Sequence, residues 1–238
     1  MIQQARGQGL VMTAPRLVIL DVNETLSDLG PLRDRFRELS LTEQDAAAWF
    51  AGVLRDGFAL TVLEESSAFA DLGRDVLRDL APDLTEEQID SVIATFGELP
   101  LHDDVAPGLR ALAEADISVV TLSNGSTDVA EGLLQRGGVR DLVVETLSVD
   151  AAGIWKPHRA AYAYALERHG VPAAEAALIA VHPWDLHGAS RAGLRTAWVR
   201  RGERHWPGAF AQPQIAAPSF EQAARRLTET SSHAAERR

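Results

Sequence analysis

The chain has 238 residues, 46% hydrophobic and 24% charged, with a formal net charge of −11 and no cysteine. That length can bury one sizeable core. The negative charge argues against nucleic-acid or anionic-membrane surfaces, and the lack of cysteine excludes disulfides, thiol catalysis and thiolate metal sites. No apolar run reaches the length of a membrane span and the N-terminus lacks a signal-peptide core, so a cytoplasmic protein is expected.

In chain order, residues 1–15 are polar and unpatterned and read as a flexible tail. Leu17–Asp21 follows: four apolar residues, rich in β-branching, that read as a strand buried on both faces and end in an aspartate. From 27 to 98 only helices are expected. "LRDRFREL" places Leu32, Phe36 and Leu39 on one stripe. "TEEQIDSVIATF" opens with a capping box, Thr85 to Gln88, and carries Ile89, Val92, Ile93 and Phe96 at helical spacing. Further strands are expected at Ser118–Ser123, Leu142–Leu147, Ala177–Val181 and Thr196–Arg200. Helices separate them. "KPHRAAYAYALERHG" puts Tyr162, Ala165 and Leu166 on one face and stops at Gly170. "SFEQAARRL" aligns Phe220, Ala224 and Leu227. Residues 229–238 form a second polar tail.

Strands alternating with helices predict an α/β fold, a parallel sheet with helices on both faces. The core takes residues 16–26 and 99–228, and the helical run 27–98 is an insertion after the first strand. Placed there, it lies over the carboxyl ends of the strands, where open α/β sheets bind ligands, and would act as a lid.

Those strand ends carry the polar residues. Asp21 ends the first, Ser123 and Asn124 the second in "TLSNGS"; Lys156 follows the third in "GIWKPH" and Asp185 the fourth in "AVHPWDLHG". Singly, each has a plain reading: a turn residue, a loop, a solvated lysine, a helix N-cap. Four such groups at corresponding strand ends favour chemistry.

The stretches "LDVNETL", "LSNGS", "LSVDAAGIWKP" and "WDLHGASRAGLRTAWVRR" resemble the motifs of the haloacid dehalogenase-like hydrolases, and within them the type II 2-haloacid dehalogenases, over about residues 16–228. The resemblance implies a Rossmann-like core with an all-helical cap subdomain. It gives Asp21 the role of nucleophile and places a hydrogen bond from Thr25 beside it. Ser123 and Asn124 would bind substrate oxygens, Lys156 would pair with the nucleophile, and Asp185 would help water hydrolyse an ester intermediate. Such an enzyme would hydrolyse a small 2-substituted carboxylic acid.

The chain departs from the related patterns at several positions. Phosphatases of this superfamily carry an acid where Asn23 stands and a metal-binding aspartate where Val181 stands. An amide cannot protonate a leaving alcohol, although Asn23 can still touch the ligand. With two carboxylates missing, no metal or other cofactor is expected, magnesium entering only under a phosphatase reading. The dehalogenase branch has an aromatic residue at Asn23, a serine and an asparagine at Ala180 and His182, and a cap arginine that receives halide. Phe50 or Ala51 falls at that arginine, and Arg55, one turn on, is the expected substitute. His182, three residues before Asp185, is assigned to the site, and Trp184 to the pocket wall. Two other readings stand beside the dehalogenase: a hydrolase of small phosphate esters, and a non-catalytic small-anion binding module. The expected partner is a small-molecule substrate, with neither nucleic acid nor membrane; a homodimer is left open.

Overall fold

The computed structural model describes residues 13–202 and 205–229. The expected tails at 1–15 and 229–238 lie almost wholly outside them. Six strands form one sheet: β1 Leu17–Leu20, β2 Ser118–Ser123, β3 Glu145–Ser148, β4 Ala176–Ala180, β5 Arg195–Val199 and β6 Ile215–Ala217. Their order is β3-β2-β1-β4-β5-β6, and each neighbouring pair is parallel. This is the Rossmann-like arrangement. The chain builds outward from β1 in one direction, then crosses back to start again at β4. The resulting crevice between the ends of β1 and β4 is where such sheets hold ligands.

The Leu-Val-Ile-Leu run of β1 is buried along its whole length. Successive side chains alternate between two apolar layers. Leu17 and Ile19 join Val120, Leu122, Leu178 and Ala180 on one face. Val18 and Leu20 join Val119, Ile179 and Ala197 on the other. Helices α5 (Val105–Glu114), α6 (Thr127–Arg136) and α9 (Phe220–Glu229) cover the second face, and α7 (Arg159–His169) and α8 (Pro183–Arg191) cover the first. Helix α7 ends at Gly170 in the left-handed region, as a C-terminal glycine should.

Between β1 and α5 the chain makes four helices, α1 (Gly30–Glu38), α2 (Glu43–Val62), α3 (Phe69–Leu80) and α4 (Glu86–Gly97), which pack on one another as an all-helical cap. Capping boxes at Thr42/Asp45 and Thr85/Gln88 start α2 and α4. Leu32, Phe36, Ile89, Val92 and Phe96 are buried where the helical spacing puts them, around Trp49, whose indole N–H donates to the Gly73 carbonyl at 2.8 Å. The chain enters and leaves this unit through two segments that pair with each other. Ser27 and Leu101 form an antiparallel bridge, flanked by Asp28 N–H to Pro100 O at 2.8 Å and His102 N–H to Leu26 O at 2.9 Å.

The cap is seated on the core through Trp155. Its indole N–H reaches Ser67 O at 3.2 Å, and its ring lies parallel to Phe69 with centroids 6.0 Å apart. Helix α2 passes so close that a Cβ on Gly57 would come within 2.3 Å of the indole ring. A glycine is required there for contact, not for conformation.

Two strand expectations need correction. The third strand starts at Glu145, not Leu142. Residues Arg140–Leu142 form a 3-10 turn tied down by the Arg140 guanidinium, which bonds Glu131 and the Val143 carbonyl. The sixth strand, Ile215–Ala217, was not anticipated. It is three residues long, set between Pro213 and Pro218, too short for a period to register. Among the described residues no helix is long and apolar enough to cross a membrane.

Candidate active site

The turn after β1 brings its side chains into the crevice. Asp21 N–H still bonds Ile179 O at 3.2 Å, which extends the β1–β4 pairing one residue past the strand. Beyond it the chain winds into a tight turn, with Leu26 N–H to Val22 O at 2.9 Å. Glu24, at φ +59°, takes the left-handed region there. For a residue other than glycine that costs on the order of 1 kcal/mol. The turn is braced from outside by Arg201, which donates to Thr25 O at 2.8 Å and pairs with Asp104 at 3.0 Å.

Asp21 is 4% exposed and meets three side chains. Lys156 Nζ lies 2.9 Å from Oδ1. Thr25 Oγ1 donates to Oδ2 at 2.6 Å and itself accepts from Val181 N–H at 3.0 Å. His182 Nδ1 lies 3.0 Å from the same Oδ2. The Lys156 ammonium also contacts Asp185 Oδ2 at 2.7 Å and so bridges the two carboxylates.

Each partner is held from behind. Asn124 Nδ2 donates to Lys156 O at 3.1 Å, and Lys156 N–H donates to Asn124 Oδ1 at 2.9 Å. Asn124 therefore clamps the lysine's backbone to the end of β2. Ser123 Oγ accepts from Gly125 N–H at 2.9 Å and shapes the same loop. Asn23 is buried beside it, its amide nitrogen 3.9 Å from where a Cβ on Gly125 would stand. Asp185 is the third residue of α8, not its N-cap; His182 precedes that helix and Pro183 opens it.

Two residues enter the site that the sequence reading had not placed there. Tyr162, read as a core residue of α7, donates its hydroxyl to Asp185 Oδ1 at 2.6 Å. Glu24 accepts from His182 Nε2 at 2.8 Å. The signal for Tyr162 was a phenol on a core-facing helix face, since a buried hydroxyl needs a partner.

The electrostatics separate the two aspartates. Burial works to raise Asp21, but Lys156, His182 and Thr25 together hold its carboxyl far below the usual carboxylate range. Asp185 goes the other way: burial raises it, Lys156 opposes, and the charge of Asp21 raises it further. For Lys156, burial disfavours the charge, but Asp185 and Asp21 outweigh that and its value is raised. His182 follows the same logic: burial opposes the charge, hydrogen bonds to Asp21 and Glu24 win, and its value reaches about 9. Burial and the Asp185 charge keep the Tyr162 hydroxyl protonated. The site thus holds one firmly ionised carboxylate and one more basic carboxylate around a buried cation.

His182 is also gripped by aromatic rings. Phe50 of α2 lies 6.1 Å away at 26°, and Trp184 5.1 Å away at 29°. Trp184 in turn meets Phe58 edge-on at 4.9 Å, which makes it a wall between cap and core. A cavity of about 380 Å³ opens above His182 and Glu24, roofed by Ala47, Phe50, Ala51 and Leu54 of α2. Arg33 of α1 lines it too, and also lines a second cavity of about 190 Å³ shared with Glu24, His102 and Arg201.

The structure does not bring Arg55 to this place. Its side chain is 70% exposed and forks onto Asp56. Although Ala51, one turn earlier, lines the cavity, Arg55 does not, because Asp56 holds its guanidinium at the surface. The cap arginine beside the cavity is Arg33.

The donor set does not suit a divalent cation. Lys156 Nζ fills the space between Asp21 and Asp185, and among the described residues no three His, Asp or Glu side chains group closely enough to hold a metal.

The model of the haloacid dehalogenase-like hydrolases matches residues 15–193. The chain belongs to that family. The (S)-2-haloacid dehalogenase of Xanthobacter autotrophicus is 31% identical over 152 residues, 64% of this chain and 53% of that protein. The (S)-2-haloacid dehalogenase 1 of Pseudomonas sp. is 28% identical over 144 residues, 54% of this chain and 63% of that protein. The chain thus spans between half and two thirds of these curated relatives. The solved L-2-haloacid dehalogenase of X. autotrophicus, carrying covalently bound chloropropionic acid, superimposes with a TM-score of 0.83 at 21% identity. The match covers 90% of this chain and 98% of that one, and it establishes a shared fold. A second solved L-2-haloacid dehalogenase gives 0.85 at 25% identity, over 90% and 99%.

Proposed function

We propose that the protein is a metal-independent hydrolase of small 2-haloacids. The observation that carries this reading is the pair of buried carboxylates sharing Lys156 at 2.9 and 2.7 Å, one firmly ionised and the other pushed toward basicity. Asp21 attacks the carbon that bears the halogen. The carbon–halogen bond breaks with its electron pair, halide departs, and an ester of Asp21 remains. Oxygen Oδ1 is the attacking atom. Thr25 and His182 both occupy Oδ2, whereas Oδ1 has only Lys156 and keeps a lone pair for the substrate. Lys156 keeps the nucleophile ionised before the attack.

Water then attacks the carbonyl carbon of the ester. Asp185, the more basic carboxylate, takes the water's proton. The bond from that carbon to Oδ1 breaks, and the product leaves as a 2-hydroxy acid carrying oxygen Oδ1. Tyr162 and Lys156 fix Asp185 for this step. Asn124 and Ser123, at the end of β2, hold the Lys156 backbone and shape the loop beside Asn23. Arg33 offers a guanidinium to the substrate carboxylate in the cavity under the cap.

Two features weigh against a phosphate ester as substrate. Asn23 has no proton for a leaving alkoxide, and Val181 offers no oxygen to magnesium. The test is a panel of 2-chloro- and 2-bromo-acids and phosphate esters, with and without exhaustive chelation. Halide release unchanged by chelator supports the reading. Phosphate release that requires magnesium would replace it.

A further inference from the structure

We propose that His182, together with Thr25, forms the oxyanion hole for hydrolysis of the Asp21 ester, and that Glu24 is the positioning residue that keeps His182 charged. The proposal rests on the hydrolytic reading above and adds a step and two residues to it.

The geometry comes first. Both nitrogens of His182 face carboxylate oxygens, Nδ1 at 3.0 Å from Asp21 Oδ2 and Nε2 at 2.8 Å from Glu24 Oε2. An ionised carboxylate only accepts hydrogen bonds, so each ring nitrogen must carry a proton. The ring is therefore an imidazolium. Its faces lie against Phe50 and Trp184, whose ring quadrupoles favour a cation. Glu24 reaches it from a left-handed backbone, a conformation its side-chain contact helps to hold.

Once Oδ1 is bonded to the substrate carbon, Oδ2 becomes the carbonyl oxygen of the ester and loses most of its charge. When water adds to the carbonyl carbon, the electron pair of the C=O bond moves onto Oδ2. That oxygen is then a full oxyanion with two donors already in place, Thr25 Oγ1 at 2.6 Å and His182 Nδ1 at 3.0 Å. An oxyanion hole needs this separation from the atom where charge develops. The cationic donor gains most at that moment, because charge returns beside it in a buried site. Collapse of the intermediate returns the pair to the C–O bond, expels Oδ1 with the product, and restores the carboxylate. Asp185 passes the water's proton to the departing alkoxide, and the second proton of the water, left on the Asp21 carboxyl, is lost to solvent, which returns Asp21 to its ionised form.

The residue that stands here matters for which step slows. Halide has gone before His182 does this work. Replacing His182 with Phe, which keeps a ring but has no N–H to donate, should therefore spare the first half-reaction and stall the second. In rapid-quench assays with 2-chloropropionate and 2-bromopropionate, the variant should release about one halide per active site in a burst. The steady rate that follows should be reduced roughly 100-fold, the usual loss for one oxyanion donor. Intact mass should show enzyme carrying the 1-carboxyethyl group that remains after halide loss. The steady rate should be the same for both halides. Glu24→Gln should give a burst too, with a smaller loss at neutral pH that deepens as pH rises from 7 to 8, a range in which the wild type holds its rate.

A loss graded by halide, with no burst and no covalent adduct, would overturn the proposal and move His182 to the first step. A His182→Phe variant that misfolds by circular dichroism leaves the Glu24→Gln burst to decide. Failure of the wild type on every 2-haloacid would remove the functional reading itself, which the burst experiment distinguishes because no halide would appear at all.

Discussion

Tyr162 is bound to Asp185 at 2.6 Å from a position where nothing but packing was expected. Replacing it with Phe removes one donor from a buried carboxylate and leaves the ring in place. The loss should be about 1–3 kcal/mol of stability and a modest fall in kcat with KM little changed, read by denaturant titration and initial rates. The same contact explains Gly188: a Cβ there would come 2.6 Å from the Tyr162 hydroxyl and 2.8 Å from Pro157 O. Lys156→Met should be far harsher. It leaves Asp21 and Asp185 buried without their cation, so one of them must take a proton, and turnover at neutral pH should fall by roughly 1,000-fold or more. Activity that survived Lys156→Met within tenfold would mean that His182 alone keeps Asp21 ionised.

Helix α2 is the element through which the cap reaches the chemistry. Its Phe50 stacks on His182 and its Gly57 rests on Trp155, one residue from Lys156. With Asp21 only 4% exposed, we propose that the cap swings on the paired segments Ser27 and Leu101 to admit substrate and closes before attack. Closure excludes water and strengthens every charge inside. Gly57→Ala should therefore lift α2 from Trp155: KM should rise several-fold and the melting temperature should drop by a few degrees, with hydrogen exchange faster in α2 but not in β1. Unchanged exchange in α2 would count against a seat at Gly57.

At the scale of the whole molecule the charges set a stability profile. His182 rises from 6.5 to about 9 on folding, so its contribution is complete below pH 6.5 and is lost as pH climbs through 9. By linkage it amounts to roughly 3 kcal/mol at most. Asp21 is depressed, so its contribution is present above the ordinary carboxylate range and lost as pH falls. Thermal melts should therefore decline between pH 7 and 10, and His182→Asn should flatten that limb. The sheet and the helical cap were legible because β1 is an unbroken apolar run and because the capping box of α4 and the helical stripes of α1 and α4 are strong local signals. So were Asp21, Thr25, Lys156 and Asp185, which stand at strand ends where only a parallel sheet brings them together. Tyr162 and Glu24 were not, since each acquires its role from a partner more than 20 residues away: Asp185 for the one, His182 for the other. Arg55 failed for the converse reason, helical spacing being blind to the neighbouring Asp56 that holds its guanidinium at the surface. The central claim remains that the Asp21 carboxylate bonds to the substrate. A single turnover of 2-chloropropionate by unlabelled enzyme in heavy-oxygen water should give lactate whose hydroxyl oxygen is unlabelled, with the heavy atom left in Asp21; first-turnover lactate carrying heavy oxygen would contradict the account.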